Sequence, residues 1–113
     1  MRRLLPILLL FAGCSKGPSS DLPAIVEARS LGAEWALVNQ LALEGKLSGT
    51  FTQTMRANVR QELKSVASSL KEPRSSYAME IEALLKQADD APPARLRSIA
   101  GKLKQIENEL ESA

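Results

Sequence analysis

The chain encodes an all-α protein, a small antiparallel bundle of three or four helices. Three observations point there. From residue 22 onward, apolar residues recur at steps of three and four, the spacing that lines one face of an α-helix. Breaks rich in glycine, proline or aspartate separate these stretches. No stretch combines the apolar–polar alternation of a strand with the turn residues of a hairpin.

The first helix is expected over about Pro23 to Glu44. Asp21 can cap it, and Pro23 suits its first turn. Ala28, Leu31, Trp35, Val38 and Ala42 share one face. Leu37, Leu41 and Leu43 widen the apolar arc, as expected of a helix central in its bundle. Gly45 to Thr50 breaks the pattern and makes a turn.

The second helix is expected over about Phe51 to Lys71. Phe51, Met55, Val59, Leu63, Val66 and Leu70 form its stripe, and Arg56, Arg60 and Lys64 a basic row read as solvated. Pro73 lacks an N–H and crowds the preceding turn, so it ends or kinks the helix. The third stretch runs from about Ser75 to Asp89, with Tyr77, Ile81, Leu84, Leu85 and Ala88 facing one way. Glu82 precedes Lys86 in the orientation of a helical ion pair. Asp89-Asp90-Ala91-Pro92-Pro93 is a break whose acidic residues can cap the next helix.

The last helix runs from about Pro93 to Leu110. Leu96, Ile99, Leu103, Ile106 and Leu110 form a strict heptad seam. The seam can complete the bundle, or it can pair with a partner protein or a second copy of the chain. Glu107, Glu109 and Glu111 crowd the end of the helix that its dipole makes unfavourable to negative charge, so fraying is expected there.

The N-terminus is of a different kind. Met1-Arg2-Arg3 precedes an apolar run, Leu4 to Phe11, and then the small residues Ala12-Gly13 before Cys14. That order is a secretory signal peptide. As a helix, Leu4 to Gly13 would span only ~15 Å, against a hydrocarbon core of ~30 Å. Phe11-Ala12-Gly13-Cys14 resembles the lipobox of bacterial lipoprotein precursors, with Phe11 where leucine is usual. The resemblance covers residues 1–14 alone. It implies cleavage before Cys14 and a diacylglycerol thioether on that cysteine, with an acylated amino terminus. A thiolate is the nucleophile such a transfer needs. By resemblance to the enterobacterial sorting rule, Ser15 rather than Asp favours the outer membrane.

The chain thus divides in three: residues 1–13 as signal peptide, 14–21 as lipidated cysteine and flexible tether, and 22–113 as the helical domain. Ser15-Lys16-Gly17-Pro18-Ser19-Ser20 has the small, polar composition of a linker.

Composition removes several functions. The 113 residues include no histidine and one cysteine, which excludes His-dependent triads and most metal sites. The chain has 15 basic and 13 acidic residues; loss of Arg2 and Arg3 leaves 13 of each. A neutral mature protein gives no support for nucleic-acid binding.

Short motifs add little. Ser68-Ser69-Leu70-Lys71 matches S-x-x-K but lacks its companion elements, and reads as a helix edge. Gly45 to Gly49 lacks the spacing of a phosphate loop. Asp89, Asp90 and the scattered glutamates write no calcium loop. Trp35 reads as core. No catalytic, cofactor or metal residue is expected, and the protein is expected not to be an enzyme. The expected role is a lipid-anchored adaptor or structural module facing the periplasm, with the membrane as partner through Cys14. The alternative is a secreted soluble helical binding or inhibitor protein released by ordinary signal cleavage.

Overall fold

A computed structural model describes residues 18–112. The signal peptide, Cys14 and the first part of the expected tether lie outside them. Among the described residues the bundle has four helices: α1 (Leu22–Leu43), α2 (Gly49–Ser68), α3 (Ser76–Leu85) and α4 (Pro93–Glu111). No strand occurs among the described residues. Pro18–Asp21, which the sequence places in the tether, form a 3₁₀ turn that leads into α1.

Helix α1 is the centre of the bundle. It packs most extensively on α4, next on α2, and also touches α3. Cross-links fix the directions. Arg29 meets Glu107 and Gln40 meets Arg97, so α1 and α4 run antiparallel. Asn39 meets Arg56 while Asp21 meets Lys71, so α1 and α2 do too. The core joins Ile25, Ala28, Leu31 and Trp35 of α1 to Val59, Leu63 and Val66 of α2, Tyr77, Ile81 and Leu84 of α3, and Leu96, Ile99 and Leu103 of α4. Gly32 lets α1 approach its neighbours closely: a Cβ there would lie 3.2 Å from Leu84 Cδ1 and 3.3 Å from Ala100 Cβ.

Local chemistry sets the helix ends. Gly45, at φ 71°, turns the chain after α1 in a conformation that side chains disfavour. Ser48 Oγ accepts the Phe51 amide, so α2 begins at Gly49, earlier than its stripe suggests. Ser75 Oγ accepts the Ala78 amide and starts α3.

Several expectations need correction. Phe51 is half-exposed, and Thr52 is buried in its place. Leu37 and Leu43 belong to the apolar arc of α1 yet are exposed. Helix α3 ends at Leu85 instead of Asp89, because the Arg60 guanidinium takes up the carbonyls of Leu85 and Gln87. Glu82 and Lys86 form no ion pair although the Lys86 amide keeps the helical bond to the Glu82 carbonyl; both side chains are exposed. Neither Asp21 nor Asp89 caps the helix that comes after it, because each carboxylate is engaged elsewhere. The end of α4 is helical to Glu111, with Glu107 buried and paired.

Candidate functional site

Apart from Thr52, whose hydroxyl donates to the Ser48 carbonyl one turn back, the buried polar groups among the described residues fall into three clusters. The first joins the chain entry to the α2–α3 loop. Asp21 is 2% exposed and accepts three hydrogen bonds. Its Oδ1 takes the Lys71 amide at 2.8 Å, and its Oδ2 takes the Glu72 amide at 2.9 Å and the Tyr77 hydroxyl at 2.6 Å. Pro73 comes next in the chain and keeps Glu72 out of helical backbone, which leaves these amides free to donate. Burial alone would raise the Asp21 carboxyl. The bonds from Tyr77, Lys71 and Glu72, with the Lys71 charge, outweigh it and hold the group below the ordinary carboxylate value. Burial, then the bond to Asp21, pushes the Tyr77 hydroxyl up to about 12.

The second cluster ties α1 to α4. Arg29 Nε donates to Glu107, and Lys104 reaches the same carboxylate at 3.4 Å. The Arg29 hydrogen bond, against the cost of burial, holds Glu107 below its ordinary value.

The third gathers α1, α2 and the α3–α4 loop. Trp35 Nε1 donates to the Asp89 carbonyl at 2.9 Å. Buried Asn39 donates to the carbonyls of Asp89 and Ala91 and accepts from Arg56 Nε at 2.8 Å. Arg60 bonds two carbonyls and the Asp89 carboxylate, and its guanidinium lies 4.9 Å from the Trp35 ring centroid. Arg56 and Arg60 therefore cross-brace the fold rather than form the solvated row read from sequence, while Lys64 is exposed.

A groove of about 280 Å³ opens between the end of α2 and α3. Ala67, Leu70, Pro73, Ala78, Met79 and Glu82 line it. It adjoins the Asp21 cluster, since Leu70 and Ala78 are the chain neighbours of Lys71 and Tyr77. Its lining carries one titratable side chain, Glu82.

Of the seam residues, Leu96, Ile99 and Leu103 are buried in the intramolecular core, and Ile106 and Leu110 pack half-buried against it. Trp35 is core, 1% exposed. The hydroxyls of Ser68 and Ser69 donate to the carbonyls of Lys64 and Val66, the bonding of a helix edge. Among the described residues, no group of three His, Cys, Asp or Glu side chains is arranged to hold a metal. No described helix is long and apolar enough to cross a membrane. Sequence spacing points neither to Asn39 nor to the Arg29–Glu107 pair. Asn39 carries one signal: an amide among Trp35, Val38 and Leu41.

No protein-family model matches the chain, and neither a curated protein nor a solved structure does.

Proposed function

We propose that this protein is a lipid-anchored bacterial lipoprotein whose helical bundle serves as a non-catalytic adaptor or structural module on the periplasmic side of the envelope. The observation that carries the reading is the order of the chain. An apolar leader ends Ala12-Gly13-Cys14, and a bundle begins at Leu22. A lipid on Cys14 would hold that bundle at a membrane surface and raise its effective concentration toward partners there. The non-catalytic part draws support from the side chains. Asp21, Glu107, Asn39 and Arg60 are engaged in holding helices together, and the hydroxyls of Ser68 and Ser69 bond their own helix. Such groups hold a fold; catalysis asks for groups converging on a cavity.

The test is a Cys14→Ala variant compared with the parent chain in cells. Membrane retention that is lost in the variant, with the precursor accumulating under globomycin, is the expected result. Retention by the variant, or a soluble product beginning near Ser15, overturns the anchor; the soluble product is what the secreted alternative requires. In-cell cross-linking with identification by mass spectrometry then tests the adaptor role, which predicts a recurrent foreign protein.

A further inference from the structure

We infer that the α2–α3 corner, with its apolar groove and flanking cations, is the face of the bundle that rests on the phospholipid surface. The inference rests on the lipid-anchor reading and adds an orientation to it. Its first support is where the chain outside the structure joins the bundle. The described chain starts at Pro18, and by Asp21 it is bonded to Lys71, Glu72 and Tyr77. Cys14 lies four residues before Pro18, a reach of at most ~14 Å even when extended. The lipid therefore starts from the end of the bundle that carries this corner together with the C-terminal end of α4, on which the entry turn also packs.

The second support is what the corner exposes. Leu70, Pro73, Ala78 and Met79 line an open groove together with the exposed Glu82, and Met79 is 68% exposed. Met is unbranched and polarizable, suited to an irregular apolar surface such as the acyl boundary. Lys71 and Arg74 are exposed on the same loop; neither makes a direct ion pair among the described residues, though the Lys71 charge also acts on nearby Asp21. Long cationic side chains beside an apolar patch place their stems on the apolar layer and their charges at lipid phosphates. The patch is small, and alone it would bind weakly. A short tether supplies an effective concentration of ~mM, which is enough to populate a weak contact.

The other exposed apolar residues provide the contrast. Leu37, Leu43 and Phe51 lie toward the opposite end of the α1–α2 pair, with Leu43 about 32 Å along the helix from Leu22. In the proposed orientation they point away from the bilayer.

The test uses the full lipidated protein. Its single cysteine is then blocked as a thioether, so an introduced cysteine is the one reactive thiol. Met79→Cys and Leu43→Cys, both at exposed sites, are labelled with an environment-sensitive fluorophore. Each protein is reconstituted in vesicles of phosphatidylethanolamine and phosphatidylglycerol carrying a shallow doxyl-lipid quencher. The expected result is quenching at position 79 about twofold or more above that at position 43, because an interfacial face sinks ~5–10 Å into the boundary layer. Equal quenching at the two sites, or stronger quenching at 43, overturns the orientation while leaving the anchor intact. A protein that fails to float with vesicles and keeps a reactive Cys14 thiol overturns the anchor itself, and the orientation with it.

Discussion

Asp21 and Tyr77, 56 residues apart, share a 2.6 Å hydrogen bond in which the phenol donates to a carboxylate oxygen that also accepts the Glu72 amide. The bond converts a capping-type residue into a clamp. It fixes where the N-terminal chain leaves the bundle, and it holds the α2–α3 loop against α1.

Asp21→Asn is expected to destabilise the fold. An amide group would replace one acceptor oxygen and set a donor against other donors. An unsatisfied buried group costs ~1–3 kcal/mol, and each kcal/mol lowers Tm by about 4–8 °C in a domain this small. Faster hydrogen exchange at the Lys71 and Glu72 amides should accompany the shift. The charge also sets a pH dependence. The folded Asp21 titrates below its ordinary value of 3.8, so its contribution is complete above that pH and fades as pH falls through the folded value. The gap between parent and variant should therefore narrow in acid below 3.8. An unchanged Tm with unchanged amide protection would show that the clamp is dispensable.

Tyr77 reports on the same bond from the alkaline side. The unfolded phenol ionises near 10.0, whereas the folded one holds its proton until about 12. The folded state then binds more protons than the unfolded state between these values, so stability is full below pH 10 and falls as pH rises through 12. Two units correspond to about 2–3 kcal/mol at most. Tyr77→Phe should cost stability at neutral pH and lose this alkaline slope. Urea unfolding of both proteins across that range measures it. Parallel slopes would place the alkaline titration elsewhere.

Much of the bundle was legible because helical stripes are local. Ala28, Leu31, Trp35 and Val38 are buried as their spacing predicts, and so are Val59, Leu63 and Val66. Ser48 and Ser75 act within one turn of themselves. The polar clusters were not legible. Arg29 and Glu107 are separated by 78 residues, and no spacing rule links such a pair. Asp21 has the position of an N-cap for the helix next to it, but the Lys71 and Glu72 amides, released by the break at Pro73, compete for the same oxygens. Phe51 continues the period of its stripe where little of the core remains to bury it, so periodicity alone places it inside.

Arg60 should resist replacement by lysine. Its fork bonds the Leu85 and Gln87 carbonyls and the Asp89 carboxylate while stacking near Trp35. An ammonium is a single point charge and cannot span all of these. Arg60→Lys is expected to lose about 1–2 kcal/mol, through uncovered carbonyls and a weaker cation–π contact. Trp35 fluorescence should shift, and the amides of residues 86–91 should exchange faster. A variant with parental stability and an unmoved Trp35 spectrum would show that the carbonyls find water at no cost.

Two glycines should answer the same substitution differently. Gly101 is exposed within α4, and a Cβ there meets nothing within 4 Å. Gly101→Ala removes backbone entropy from the unfolded chain without new contacts, so it should stabilise by about 0.5–1 kcal/mol. Gly32 enjoys the same propensity gain, but its Cβ would press on Leu84 Cδ1 at 3.2 Å and Ala100 Cβ at 3.3 Å. The leucine methyl can rotate away. Ala100 Cβ has no rotamer to change, so relief there means moving α4 against α1, the most extensive helix contact of the bundle. Overpacking costs ~1–3 kcal/mol, which cancels or exceeds the gain. Gly32→Ala should therefore be neutral to destabilising, and Gly32→Val strongly destabilising. Denaturant midpoints of the three variants decide the matter. A Gly32→Ala protein as stabilised as Gly101→Ala would mean that α1 and α4 are not packed as closely as 3.3 Å implies.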